Sequence, residues 1–202
     1  MSKNAPYIAE FIGTFSLCLV VILSLLGNFV LPVPVVAAMT LGLFVYSIGH
    51  ISGTHINPAI TLGLLSIKKI KPDVAMGYVV AQILGAGLAM GVGRLLGIPA
   101  LDLPTTSMML GVAEAVGVFF FSFGVAAVVM NKVDKSMSGV VVGSSLLLGI
   151  IIASALGSGG ILNPAVTLAV HVFSPMYIVG QILGAVLGFN CYIWLDKMIG
   201  GK

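Results

Sequence analysis

Two short runs of this sequence carry the groups that can handle a small polar molecule. They are His50-Ile51-Ser52-Gly53-Thr54-His55-Ile56-Asn57-Pro58-Ala59 and Gly157-Ser158-Gly159-Gly160-Ile161-Leu162-Asn163-Pro164-Ala165. Each is polar and glycine-bearing, ends in Asn-Pro-Ala, and then turns apolar. An asparagine before a proline is a helix start: its side chain accepts from orphan N–H groups, and Pro58 or Pro164 loses nothing at the first helical position. Each run therefore reads as backbone that unwinds and then begins a short helix, with Ala59 or Ala165 in its first turn. The chemistry on offer is an asparagine amide, a set of carbonyls freed from helix bonding, and a helix N-terminus worth roughly +0.5 of an elementary charge. These groups orient neutral polar molecules. No nucleophile–base pair accompanies them, and no set of His, Cys, Asp and Glu has metal-ligand spacing, so neither an enzyme nor a metal or cofactor site is expected.

Composition says where these runs lie. The chain has 202 residues, of which 59% are hydrophobic and only 7% charged. So few charges cannot cover a water-facing surface, and the chain is read as an integral membrane protein whose first partner is the lipid bilayer. Its 26 glycines suit close helix–helix approach in lipid. The net charge of +3 does not indicate nucleic acid, because the basic residues stand at segment ends. Cys18 and Cys191 sit inside apolar stretches and read as apolar filler. The first stretch carries Glu10 and has no cleavage site, so it does not read as a signal peptide.

A crossing needs about 20 mostly apolar residues. Six stretches fit: Tyr7–Val30, Val35–Gly49, Val74–Val92, Met108–Met130, Ser138–Leu156 and Met176–Leu195. Two pieces, Asn57–Ile67 and Asn163–Phe173, are apolar but too short to cross. With six crossings, Lys3, the Lys68, Lys69 and Lys71 cluster, Lys132, Lys135, Lys197 and Lys202 all fall on one side, and Arg94 falls on the other. The positive-inside rule then places both termini in the cytoplasm of a multi-pass protein of the cell membrane.

The halves repeat. Ala9-Glu10-Phe11-Ile12-Gly13-Thr14-Phe15 matches Ala113-Glu114-Ala115-Val116-Gly117-Val118-Phe119, the two Asn-Pro-Ala runs match, and Tyr78-x-x-x-Gln82-x-x-Gly85-Ala86 matches Tyr177-x-x-x-Gln181-x-x-Gly184-Ala185, in the same order. One channel-like domain over 1–202 is expected, with halves of about 1–97 and 108–202 joined by the connection 98–107. Three crossings per half give the halves opposite orientation. The fold class is thus an all-α membrane protein of six transmembrane helices plus two re-entrant half-helices in an inverted 3+3 repeat. The half-helices enter from opposite faces, and their starts meet near the midplane. Irregular backbone at that depth is tolerated only against protein or a water-filled cavity. Asn57 and Asn163 are expected to line that cavity as donors, and two helix N-termini aimed at one point repel cations.

These features together resemble the aquaporin (major intrinsic protein) family: tandem Asn-Pro-Ala boxes, the run from Gly49 to Ala59, the Ala-Glu-Phe start, and the paired Tyr-x-x-x-Gln-x-x-Gly-Ala blocks. The resemblance covers essentially the whole chain. It implies a pore in each subunit for water and small neutral solutes, and a homotetramer. It also exposes a departure. In that family an arginine usually follows the second Asn-Pro-Ala and forms the outer selectivity filter; here the residue is Val166. Counted from the two asparagines, the other filter positions fall at Ala37, Ile151 and Gly160. The set is small and apolar, and a wider, less polar outer mouth is expected.

Glu10 and Glu114 are charges inside spans, where function is the default reading. Their matched positions favour bracing of the unwound loops over proton relay. Gln82 and Gln181 read as interhelical hydrogen-bonding groups. His50 is expected at the pore mouth, His55 as a loop brace, and His171 as a packed core residue. Gly180-x-x-x-Gly184-x-x-x-Gly188 reads as a packing seam. The reading is a passive channel for water and/or small uncharged solutes. Its rivals are an ammonia, gas or larger-solute conduit of the same fold, a non-conducting scaffold of that fold, and an ion-coupled transporter, for which no free ionisable coupling residue is in sight.

Overall fold

A computed structural model describes residues 2–25, 30–103, 105–172 and 174–200. Residues 26–29 of the first expected crossing, with Phe173 and Lys202, lie outside them. Among the described residues there are six helices long and apolar enough to cross a membrane. They are α1 (Ala5–Ser24), α2 (Val33–Ser52), α4 (Pro72–Leu95), α5 (Met108–Val129), α6 (Ser138–Ala155) and α8 (Pro175–Met198). Two short helices interrupt the series at matching places, α3 (Pro58–Ser66) and α7 (Pro164–Ala169). The order long, long, short, long thus occurs twice.

Packing follows the repeat. α1 lies on α4 and α2, and α5 lies correspondingly on α8 and α6. Each short helix crosses to the other half: α3 packs on α8, and α7 on α4. α2 on α6 and α3 on α7 close the structure along the axis relating the halves. The chain is a multi-pass membrane protein with the expected fold.

Glycine sets how close the helices come. A Cβ on Gly180 or Gly184 would overlap the backbone carbonyl oxygen of Gly111 or Ala115, and one on Gly188 would sit 2.6 Å from the Phe119 carbonyl oxygen. The sequence seam is therefore real, and its partner is the backbone of α5. In the first half the matching contact is Gly85, whose Cβ would lie 2.5 Å from the Phe11 carbonyl oxygen.

α7 is shorter than expected. It stops at Ala169 because the chain turns through a left-handed residue, His171 (φ 63°), and the Val172 N–H donates to the Thr167 carbonyl at 3.0 Å. α3 ends the same way, with Lys68 at φ 59° and the Lys69 N–H donating to the Leu64 carbonyl at 2.9 Å. Both are Schellman-type closures with a basic or imidazole residue where glycine is usual, at the negative end of the helix dipole. His171 is accordingly a half-buried cap and not a core residue; Arg94 Nη2 lies 3.3 Å from its Nδ1. At the opposite end, Lys132 pairs with Asp196 at 2.8 Å, which ties the connection after α5 to the last turns of α8.

Candidate functional site

The two unwound runs meet through their asparagines. Asn57 Oδ1 accepts from the Ala59 N–H at 2.9 Å, and Asn163 Oδ1 accepts from the Ala165 N–H at 2.9 Å. Each caps its own helix as the sequence requires. Each then reaches across. Asn57 Nδ2 donates to the Leu162 carbonyl at 2.9 Å, and Asn163 Nδ2 donates to the Ile56 carbonyl at 3.0 Å. An amide nitrogen has two hydrogens. One is spent on the opposite loop, and the second remains for whatever occupies the cavity that both asparagines line.

Behind each loop stands a glutamate. Glu10 Oε1 accepts from the Ser52 hydroxyl (2.7 Å) and the His55 N–H (2.9 Å), and Oε2 accepts from the Ile56 N–H (2.6 Å) and Gln82 Nε2 (2.8 Å). Glu114 repeats the set: the Ser158 hydroxyl (2.5 Å) and Ile161 N–H (3.0 Å) on Oε1, the Leu162 N–H (2.7 Å) and Gln181 Nε2 (2.8 Å) on Oε2. Both carboxylates are fully buried and neither lines the cavity. All eight partners donate, so these groups act as acceptors that hold backbone, as the bracing reading requires. Strain explains the need. Ile56 and Leu162 have φ of 38° and 55°, a region that branched residues rarely enter. Gln82 and Gln181 extend the brace to Thr61 (3.0 Å) and Thr167 (3.1 Å).

Two tyrosines from the duplicated blocks add to the brace. Tyr78 donates its hydroxyl to the Ser52 carbonyl at 2.9 Å, and the Tyr177 hydroxyl accepts from the Gly159 N–H at 3.2 Å. The tyrosines open the matched Tyr-x-x-x-Gln blocks, and Ser52 and Ser158 occupy equivalent places before the boxes. The duplication held that information.

The cavity above the asparagines has a volume of about 290 Å³ and a mainly apolar wall. Ala37, Gly160 and Val166 line it as expected. Ile151 does not: it is 55% exposed on the outer face of α6, and the wall is made by its neighbour Ile150 with Ser154. Irregular backbone separates α6 from Asn163, and a slip of one residue turns a helical side chain by about 100°. His50 is also displaced. It is exposed on α2 and reaches neither this cavity nor a second one toward the lysine-rich end. The histidine in the pore wall is His55, whose Nδ1 lies 3.1 Å from the Thr61 hydroxyl. Leu101 and Leu103, from the connection between the halves, complete the cavity wall; the Leu101 N–H donates to the Val170 carbonyl at 3.1 Å.

Comparison with known proteins agrees with this geometry. The family model described as "Major intrinsic protein" matches residues 1–109 and 102–198. Aquaporin NIP1-1 of Arabidopsis thaliana is 30% identical, over 98% of this chain and 78% of its own length. Nodulin-26 of Glycine max is 32% identical, over 94% and 78%. Aquaporin AqpM of Methanothermobacter marburgensis is 31% identical, over 76% and 72%. Among solved structures, the aquaglyceroporin from Plasmodium falciparum superposes with a TM-score of 0.71 at 20% identity, covering 98% of both chains, a likeness of fold. Six membrane-length helices, two half-helices joined through paired asparagines, and these matches place the chain in the major intrinsic protein family, as a channel and not an enzyme.

Proposed function

We propose that the chain is one channel domain over 1–202, of two inverted halves, that passes water and small uncharged solutes past the Asn57–Asn163 pair. It does so through an outer mouth formed by Ala37, Ile150, Gly160 and Val166. The observation that carries this reading is the pair of amides at the cavity wall, each with one N–H held by the opposite loop and one left over. A neutral molecule with a lone pair accepts from them in passing. A cation meets two donors and two positive helix ends, and leaves its hydration shell for a wall with few oxygen ligands. The lysine distribution supports a cell-membrane protein with both termini in the cytoplasm, and the resemblance supports a homotetramer.

The test is shrinkage of liposomes containing the protein under gradients of water, urea, glycerol and ammonium. Flux above that of bare lipid for at least one of these is expected; flux equal to bare lipid for all would leave a non-conducting scaffold of the same fold. The apolar outer wall favours a second reading, conduction of ammonia or other weakly hydrated molecules, and the same assay ranks it against water. Val166→Arg should set a guanidinium in the outer mouth as a second barrier in series. Urea and glycerol flux are then expected to fall several-fold while water flux is spared. An unchanged profile would remove Val166 from the permeation path.

A further inference from the structure

Among the described residues, two cavities lie end to end along the pathway. The larger, of about 290 Å³, runs from the outer mouth to the asparagine pair. The smaller, of about 40 Å³, lies toward the lysine-rich end among Val45, Leu64, Val125, Val128, Val129 and Val142. Both exceed the roughly 10–15 Å³ of cavity space that one water needs, and the first is far the roomier. Three residues belong to both walls: Leu41 of α2, Phe121 of α5 and His55 of the loop before α3. The four outer-mouth positions belong only to the larger cavity, and their side chains are small or apolar.

We propose that the constriction that discriminates among solutes in this pore is the collar of Leu41, His55 and Phe121 between the two cavities, not the outer-mouth positions. The proposal deepens the channel reading and rests on it. The collar has one polar wall and two apolar ones. Its polar wall is fixed: the His55 ring bonds Thr61 at 3.1 Å and stands edge-on to Tyr78 with centroids 5.1 Å apart. It is also backed by Gly53, where a Cβ would lie 3.4 Å from the ring and where φ is +87°. Leu41 and Phe121 are 3% and 2% exposed, so packing holds them too. A permeant passing such a collar keeps hydrogen bonds on one side and presents an apolar or weakly hydrated flank to the other. Narrow apolar stretches resist wetting, so hydration as well as width is sorted here. The substrate class is a slender neutral molecule whose polar groups lie along one edge.

Liposome shrinkage with urea, glycerol and erythritol tests this on the full chain. Phe121→Leu and Leu41→Ala enlarge the collar, and Val166→Ala enlarges the outer mouth. The collar variants are expected to raise the ratio of glycerol or erythritol flux to urea flux at least five-fold, and Val166→Ala to change it less than two-fold. Leu41→Phe should lower the ratio. Phe121→Leu keeps a large apolar side chain, so it reports even if Leu41→Ala fails to fold. An unchanged ratio in a conducting Phe121→Leu channel, or a ratio that moves with Val166→Ala instead, overturns the collar while leaving the channel reading intact. A wild type that conducts nothing while Phe121→Leu conducts supports the collar as the closure. Silence from every protein overturns both readings.

Discussion

Glu10→Ala is expected to yield no folded protein, and Glu114→Ala the same. Each substitution removes the acceptor for two backbone N–H groups, a hydroxyl and a glutamine amide, in a place that water does not reach. An orphaned buried donor costs about 1–3 kcal/mol, and at least three are created. The left-handed backbone at Ile56 costs about 1–3 kcal/mol more and is held in place by the bonds being removed. The sum is comparable with a typical domain stability of about 5–15 kcal/mol. Glu10→Gln separates the roles. It preserves shape but turns one oxygen into a donor facing donors, so about half the brace is lost, and a lower melting temperature in detergent is expected, with reduced yield. If the carboxylate were instead a proton carrier, Glu10→Gln would leave the melting temperature alone and change only proton flux. A Glu10→Ala protein that melts with the wild type would refute the brace.

The glutamates mark how far sequence reaches. Their placement behind the unwound loops was legible because each sits in a duplicated block, and two copies in register point to a common structural duty. The six crossings, both half-helices and the glycine seam were legible for a similar reason: hydropathy, Asn-Pro-Ala and the spacing of Gly180, Gly184 and Gly188 are local signals. What failed was register across irregular backbone. Ile151 was expected in the pore wall and Ile150 is there, because the left-handed residues before Asn163 hide how many positions separate α6 from the box. His50 misses the pore wall and His55 enters it for a related reason. The end of α2 at Ser52 and the turn at Gly53 aim His55 at the lumen and leave His50 outside. The collar could not be found by pattern, since Leu41, His55 and Phe121 come from three elements and share no spacing. The six-residue length of α7 depends on His171 adopting a glycine-like conformation, which composition does not announce.

Gly184→Val is expected to prevent α8 from docking on α5. Gly180, Gly184 and Gly188 face the carbonyls of Gly111, Ala115 and Phe119, about one helical turn apart on both helices, so the two backbones run in contact for about two turns. Even alanine at 184 would overlap the Ala115 carbonyl oxygen, and backbone cannot swing away as a flexible side chain can. Overpacking typically costs about 1–3 kcal/mol, and Gly184→Ala belongs at or above the top of that range, with Gly184→Val beyond it. The damage would reach the pore. Gln181 projects from α8 to Glu114 on α5 at 2.8 Å, and that carboxylate holds Ile161 and Leu162. A shift of about 1 Å between the helices puts this bond outside hydrogen-bonding range and loosens the second loop. Gly87→Ala and Gly91→Ala on α4 are the controls, since a Cβ there meets nothing within 4 Å. Those variants should melt within a few degrees of the wild type or above it, because alanine favours the helix by about 1 kcal/mol over glycine. Thermal melting and size-exclusion profiles in detergent read both sets. Equal losses at Gly87 and Gly184 would mean that glycine content, and not the α5–α8 contact, sets stability. A loss confined to Gly184, accompanied by lost water flux, would tie the second Asn-Pro-Ala loop to a helix contact on the far side of its glutamate.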